Sequence, residues 1–178
     1  MKQIKHILTA IVCITLLVSC GKNKEKEVPQ KVKTTMGAEA KVPADKKMIF
    51  VDSEGVANIS MITNDRMKFN LEKITVKAGQ KIRMTLSHVG QLNKRIMGHN
   101  VVFLNKGTKL STFASKAAAA KDNDFIPKGT TAVLAHTKML GGGETTTIEF
   151  IAPETGVYDY ICSFPAHYAM MRGKLIVQ

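Results

Sequence analysis

Eight short runs of four to six residues with strand character recur between Ile59 and Val177, and they leave little room for anything but a β architecture. The run Lys81-Ile82-Arg83-Met84-Thr85-Leu86 alternates polar and apolar side chains at period two, the mark of a strand with one buried face. Residues 59–62, 73–76, 100–104, 131–134, 145–150, 157–161 and 174–177 complete the series. Turn signals separate them: Ala78-Gly79, Gly141-Gly142-Gly143 and Pro153-Glu154-Thr155-Gly156. Strands this short and this numerous predict an all-β sandwich or barrel of eight strands. One stretch breaks the pattern. Residues 110–121 contain Ala117-Ala118-Ala119-Ala120, a strong helix-forming composition, and predict a short helical insertion of structural role.

The first 47 residues do not belong to that pattern. Lys2 and Lys5 precede an apolar run, 7–18, broken only by Thr9 and Thr15. Twelve residues are too few for a helix across a bilayer core, which takes about 20, so the run reads as the h-region of an export signal. It ends in Leu17-Val18-Ser19-Cys20-Gly21, which resembles the lipobox of bacterial lipoproteins, where cleavage precedes a cysteine that is then acylated. The expectation is a signal peptide over 1–19, lipidation at Cys20, and anchorage to the outer membrane of a bacterium, facing the periplasm or the surface. Residues 21–47 carry eight Lys, four acidic residues, Pro29 and Pro43 but no aromatic side chain, too little apolar surface to order a chain. They read as a solvated tether with a reach of about 30 Å as a flexible coil. The tether is assigned to 20–50 and the folded domain to 51–178.

This division disposes of the charge. A net charge of +12 could suggest nucleic acid. Signal and tether hold half of it, and residues 48–178 keep 16 Lys and Arg against 10 Asp and Glu. With no basic helix and no RNA-type aromatic motif, nucleic acid is excluded as a partner. At 44% hydrophobic residues the chain has enough apolar material for a packed core.

The chemistry gathers near the C-terminus in Cys162-Ser163-Phe164-Pro165-Ala166-His167-Tyr168-Ala169-Met170-Met171, with His99 63 positions before Cys162 at the head of a predicted strand. One thiolate, two imidazoles and a thioether form a soft N,S ligand set. A trigonal His₂Cys site with a long axial Met is the blue-copper electron-transfer arrangement. Each residue alone has a plainer reading, as a small buried hydrophobe, a hydrogen-bonded core histidine or core filler. Their order, on an exported β domain with one cysteine to spare, favours the metal.

Met97-Gly98-His99-Asn100 and the Cys-x₄-His-x₃-Met run resemble azurin, a cupredoxin. So do Asn64-Asp65-Arg66-Met67-Lys68-Phe69, Leu86-Ser87-His88 and Ala135-His136-Thr137-Lys138. The resemblance is collinear over about 56–178, and the lipobox makes a lipid-modified azurin the nearest comparison. It implies a Greek-key cupredoxin sandwich and one type 1 copper ion. By resemblance, His99, Cys162 and His167 are the equatorial ligands, with Met171 and the Gly98 carbonyl axial. Met170 competes for the axial place, and the three-residue gap after His167 selects Met171. Asn100 is expected to brace the ligand loop near the thiolate and Phe164 to pack beside the site. Leu92, Ile96, Met97, Ala166 and Met170 match an apolar docking patch around the exposed ligand edge. His88 and His136 match azurin histidines outside the ligand set and are given structural roles.

The implied function is a one-electron carrier at a bacterial membrane surface, with c-type cytochromes and periplasmic reductases as partners and no enzymatic activity. The alternative is a copper-binding protein for periplasmic buffering or delivery. Two departures from azurins stand out. No cysteine lies between 21 and 161, so the usual disulfide is missing, and Val101 stands where azurins often carry tryptophan.

Overall fold

The structure, a computed structural model, describes residues 47–178. The signal peptide, Cys20 and the tether up to residue 46 lie outside the described residues. Ten strands and two helices follow in order: β1 (Ile49–Val51), β2 (Ala57–Asn64), β3 (Lys68–Phe69), β4 (Lys73–Val76), β5 (Lys81–His88), α1 (Lys94–Met97), β6 (Val102–Leu104), α2 (Leu110–Ala118), β7 (Val133–His136), β8 (Thr145–Ile151), β9 (Gly156–Ile161) and β10 (Arg172–Val177). All eight expected strands are present with ends shifted by a few residues. The other two, β1 and β3, are too short to show a period. Strand β1 begins at Ile49, so the fold starts inside the stretch assigned to the tether. Its ladder on β2 (Ile49 opposite Ile59, Val51 opposite Ala57) holds it there.

The strands form two sheets, one ordered β1-β2-β5-β8 with β3 also on β2, the other β4-β10-β9-β6-β7. This is the expected two-sheet β-sandwich. Alternation does the sorting. Ile82, Met84, Leu86 and His88 of β5 are buried while Lys81 is exposed and Arg83, Thr85 and Ser87 are partly so. The inward side chains of both sheets meet in one core that includes Ile59, Met61, Met84, Phe103, Tyr160 and Leu175. Val101 is fully buried in the same core.

Strand β6 is buried on both faces. Its other side, Val102 and Leu104, packs with Ile161 against Phe113 and Ala117 of α2 and against Phe125 and Ile126. The helical insertion therefore roofs the outer face of the second sheet. Each large apolar side chain it covers contributes about 1.5–3 kcal/mol relative to exposure. After α2 the chain makes a 3₁₀ turn at Lys121–Asn123 and then two consecutive left-handed residues, Asp124 (φ 51°) and Phe125 (φ 58°). A non-glycine residue in that region is strained. Backbone bonds hold the corner: the Phe125 amide donates to the Ala120 carbonyl and the Ile126 amide to that of Asn123.

Candidate metal centre

Three segments converge at one end of the sandwich. Cys162 follows the last residue of β9, and its amide donates to the Met171 carbonyl at 2.9 Å, closing the loop that leads into β10. His167 lies in that loop, in a 3₁₀ turn that puts its carbonyl 2.8 Å from the Met171 amide. His99 arrives from the segment between α1 and β6, paired with Leu140 in an isolated bridge. The fold thus brings together three side chains from two distant segments, each almost wholly buried.

The donor atoms are spaced for one ion. Cys162 Sγ lies 3.9 Å from His99 Nδ1 and 3.7 Å from His167 Nδ1, and all three donors fall within 4.8 Å of one another. Bonds of about 2.0 Å to nitrogen and about 2.3 Å to sulfur, spread by about 120°, place such donors about 3.7 Å apart; a tetrahedral spread brings them to about 3.5 Å. The observed spacing suits a trigonal N₂S set, and the soft thiolate with two imidazoles is what copper takes. The residues fit the ion.

Several contacts prepare the ligands. His99 Nε2 is 3.0 Å from the carbonyl oxygen of Asn64 at the end of β2. A carbonyl only accepts, so Nε2 carries the proton and Nδ1 presents its lone pair to the site. The Gly98 carbonyl lies 3.8 Å from Cys162 Sγ. A Cβ on Gly98 would stand 2.9 Å from Met139 Sδ and 3.0 Å from the Phe164 ring, so glycine allows this close approach. Asn100 accepts from the Ser163 amide at 2.9 Å and donates to Ser163 Oγ at 2.8 Å and to the Asp124 carbonyl at 3.0 Å. One amide thereby ties the His99 segment, the ligand loop and the insertion together. The Phe164 ring lies 4.6 Å from that of His167 and 5.2 Å, edge-on, from Phe125.

The structure separates the two methionines. Met171 is fully buried and belongs to the core, whereas Met170 is 56% exposed. Leu92, Ile96 (60% exposed) and Ala166 are exposed, and Met97 is half-buried. His88 is a buried clamp. Its Nδ1 accepts from the Gly90 amide and its Nε2 donates to the Met97 carbonyl, each at 3.0 Å. His136 is exposed, its Nδ1 bonded to the Thr137 carbonyl. Sequence reasoning missed Asn64, Asp124 and Phe125. The first two act through backbone carbonyls, which leave no mark on residue type, and Phe125 resembles any core aromatic.

Burial dominates the electrostatics. Desolvation pushes the Cys162 thiol up to about 12, against hydrogen bonds from the Asn100 and Phe164 amides that favour the thiolate. A metal must therefore displace the thiol proton as it binds. Desolvation, then repulsion by His88, lowers His99 to about 4, and desolvation lowers His167 to about 4. Both imidazoles remain neutral, metal-competent ligands at pH 7.

These shifts carry a sign. The unfolded chain protonates both histidines near pH 6.5, and the folded chain only near 4. The metal-free protein is expected to hold constant stability, as far as these two groups go, above pH 6.5 and to lose it as pH falls from 6.5 toward 4. Urea midpoints measured at pH 7, 5.5 and 4.5 should fall in that order. A midpoint independent of pH across the window would contradict the burial of these rings.

Residues 56–178 match the family model described as copper binding proteins, plastocyanin/azurin family. Azurin-2 of Alcaligenes xylosoxydans xylosoxydans is 38% identical over 117 residues, 64% of this chain and 91% of that protein. Azurin-1 of the same organism is 37% identical over 122 residues, covering 66% and 95%. The azurin Az-iso2 from Methylomonas sp. strain J superposes with a TM-score of 0.62 at 32% identity, covering 68% of this chain and 97% of that one. Auracyanin from Roseiflexus castenholzii gives the same TM-score at 33% identity, covering 68% and 96%.

Proposed function

Since the chain belongs to the plastocyanin/azurin family of copper-binding proteins, we propose that it is a type 1 copper carrier passing single electrons between redox partners on the outer side of a bacterial membrane. The observation that carries this reading is the trio His99, Cys162 and His167, buried and spaced for a trigonal ion. Bound copper supplies the one-electron couple. The chain holds the two imidazoles and the sulfur in place before the ion arrives, so little has to move when the charge changes. Asn64 and Asn100 restrain the ligands, while Phe164 and the surrounding core keep water from the sulfur.

Leu92, Ile96, Met97, Ala166 and Met170 serve as the apolar docking face, with c-type cytochromes and periplasmic reductases as partners. The lipid on Cys20 and the tether keep the domain at the membrane, on the periplasmic side or at the surface of the outer membrane. The alternative, copper buffering or delivery, calls for an exchangeable site, and the burial of every ligand argues against it. No catalytic role follows from the site, because a second open metal position for substrate is not among its parts.

Adding Cu(II) to the metal-free protein is expected to give an intense blue band that bleaches and returns reversibly with one electron. A colourless complex, or copper lost within minutes to a chelator, would sink the carrier reading in favour of delivery.

A further inference from the structure

Two side chains of the ligand loop lean on the helical insertion. Phe164 and Tyr168, on either side of His167, pack against the cluster that contains Phe113 and Ala117 of α2 together with Phe125 and Ile126. Within that cluster the backbone turns a corner that few side chains adopt. Asp124 and Phe125 are consecutive left-handed residues, and neither is glycine. Such conformations persist only where the surroundings over-determine them, and they cluster at functional sites. Here the surroundings do so. The Asn123 and Phe125 amides both donate to the Ala120 carbonyl at 3.0 Å, and the Ile126 amide donates to the Asn123 carbonyl at 2.9 Å. The Asn123 side chain then donates to the Ile126 carbonyl at 2.7 Å.

The corner reaches the metal centre at two points. Through its carbonyl, Asp124 accepts from the Asn100 side chain at 3.0 Å. Asn100 is fully buried, so turning that carbonyl away would leave an amide N–H unpaired in the core. Through its ring, Phe125 meets Phe164 edge-on at 5.2 Å, and Phe164 lies against His167 at 4.6 Å. Asn100 and Phe164 are also the two residues whose backbone amides donate to the Cys162 sulfur. Such bonds draw charge off the sulfur and favour the reduced state of a metal bound to it.

We propose that the left-handed corner Asp124–Phe125 is a positioning device for the metal centre: it holds Asn100 and Phe164 so that their amides stay on the Cys162 sulfur, and thereby raises the reduction potential of the bound ion. This rests on the carrier reading above. It adds two positioning residues and gives the insertion a role beyond roofing its sheet. Asp124 acts through its main chain, so the shape of the corner matters and the carboxylate does not. Loosening either grip weakens the N–H bonds to sulfur, and the potential falls.

The test compares substitutions that disturb the corner with matched ones that spare it, in the full chain. Phe125→Leu takes the ring off Phe164. Phe113→Leu makes the same exchange at a ring of the same cluster that, among the described residues, pairs with no aromatic side chain. Asp124→Val forces a β-branched side chain onto a left-handed position, whereas Asp124→Asn keeps a residue type that tolerates it. Phe125→Tyr keeps the ring and serves as the rescue. In the metal-free protein, peptide masses follow the rate at which N-ethylmaleimide modifies Cys162, a buried thiol reached only when the ligand loop opens. After copper loading, the midpoint potential is measured.

F125L and D124V are expected to label about tenfold faster than the parent through local opening of the loop. Their ratio of Cu(II) to Cu(I) affinity should rise about threefold, a fall in potential of about 28 mV at about 59 mV per tenfold for one electron. F125Y and D124N should match the parent in both readouts. F113L should lower the urea midpoint as much as F125L does, yet change labelling less than about twofold and leave the potential unmoved. Should F125L not fold, D124V against D124N carries the same comparison. Equal labelling in F125L and F113L, or a potential in F125L and D124V at or above the parent's, would overturn the proposal, while a persisting blue band would leave the carrier reading intact. A parent that took up copper without that band would overturn the carrier reading, and labelling of the metal-free variants would still decide whether the corner holds the loop.

Discussion

Replacing Cys162 by alanine is expected to abolish the blue absorption completely while the β-sandwich remains folded. The thiolate is the site's one anionic ligand among the described side chains, and Cys162 is their one free cysteine. The intense colour of a type 1 site arises from charge transfer out of that sulfur. Two imidazoles and a thioether without it make a neutral set that binds Cu(II) weakly and without the band. The fold should tolerate the change, because the substitution deletes one buried atom in a core anchored by Tyr160, Phe103 and Met84. A loss of about 1–2 kcal/mol is in proportion to that deletion. The variant also forfeits whatever stability copper adds through binding to the folded state alone. Far-UV circular dichroism of the metal-free variant should match that of the metal-free parent. A C162A protein that stayed blue would refute the site.

Gly173→Ala is expected to cause the largest loss of stability from a single methyl group. Gly173 lies on β10 directly opposite Tyr160 of β9. A Cβ there would run into the Tyr160 ring and stand 2.6 Å from the Glu72 carbonyl oxygen. The ring has nowhere to go. It is fully buried, packs 5.5 Å from the Phe103 ring, and donates its hydroxyl to the Leu71 carbonyl at 2.7 Å. Overpacking of this kind costs about 3 kcal/mol, and breaking the buried hydroxyl bond adds about 1–2 kcal/mol. For a domain of this size that total lowers the melting temperature by about 15–19 °C. Because β9 and β10 frame the ligand loop, copper affinity should fall with stability. Thermal melts of G173A and of K174A, an exposed neighbour, give the comparison. Equal melting temperatures would show that the strands have slack where the packing shows none.

The ease of reading each feature followed its span along the chain. Alternation in residues 81–86 found a strand because burial of one face acts on every second side chain. The unbroken apolar run 101–104 is the trace of a strand covered on both faces, and α2 is what covers it. Strand β3 escaped detection because two residues, Lys68 and Phe69, carry no period. The start of β1 was misplaced because only its pairing with β2 separates it from the lysine-rich stretch before it. The α1 turn was also missed. It is a single turn, capped where the Asn93 side chain accepts from the Arg95 amide.

The site divides in the same way. Cys162, His167 and Met171 fall within ten residues, and their identities and order named the chemistry without a structure. His99, 63 positions away, was joined to them by its place at the head of a predicted strand and by resemblance, but its distance to the sulfur depends on how the two sheets pack. The tautomer of His99 depends on the carbonyl at the end of β2. The burial that lowers both imidazoles and raises the thiol depends on the assembled core. Residue type, alternation and short spacing are local quantities, so the sequence alone determined the strands and the kinds of donor. Separations of a few tenths of an ångström and proton positions arise where distant segments touch, and only the tertiary structure decided them.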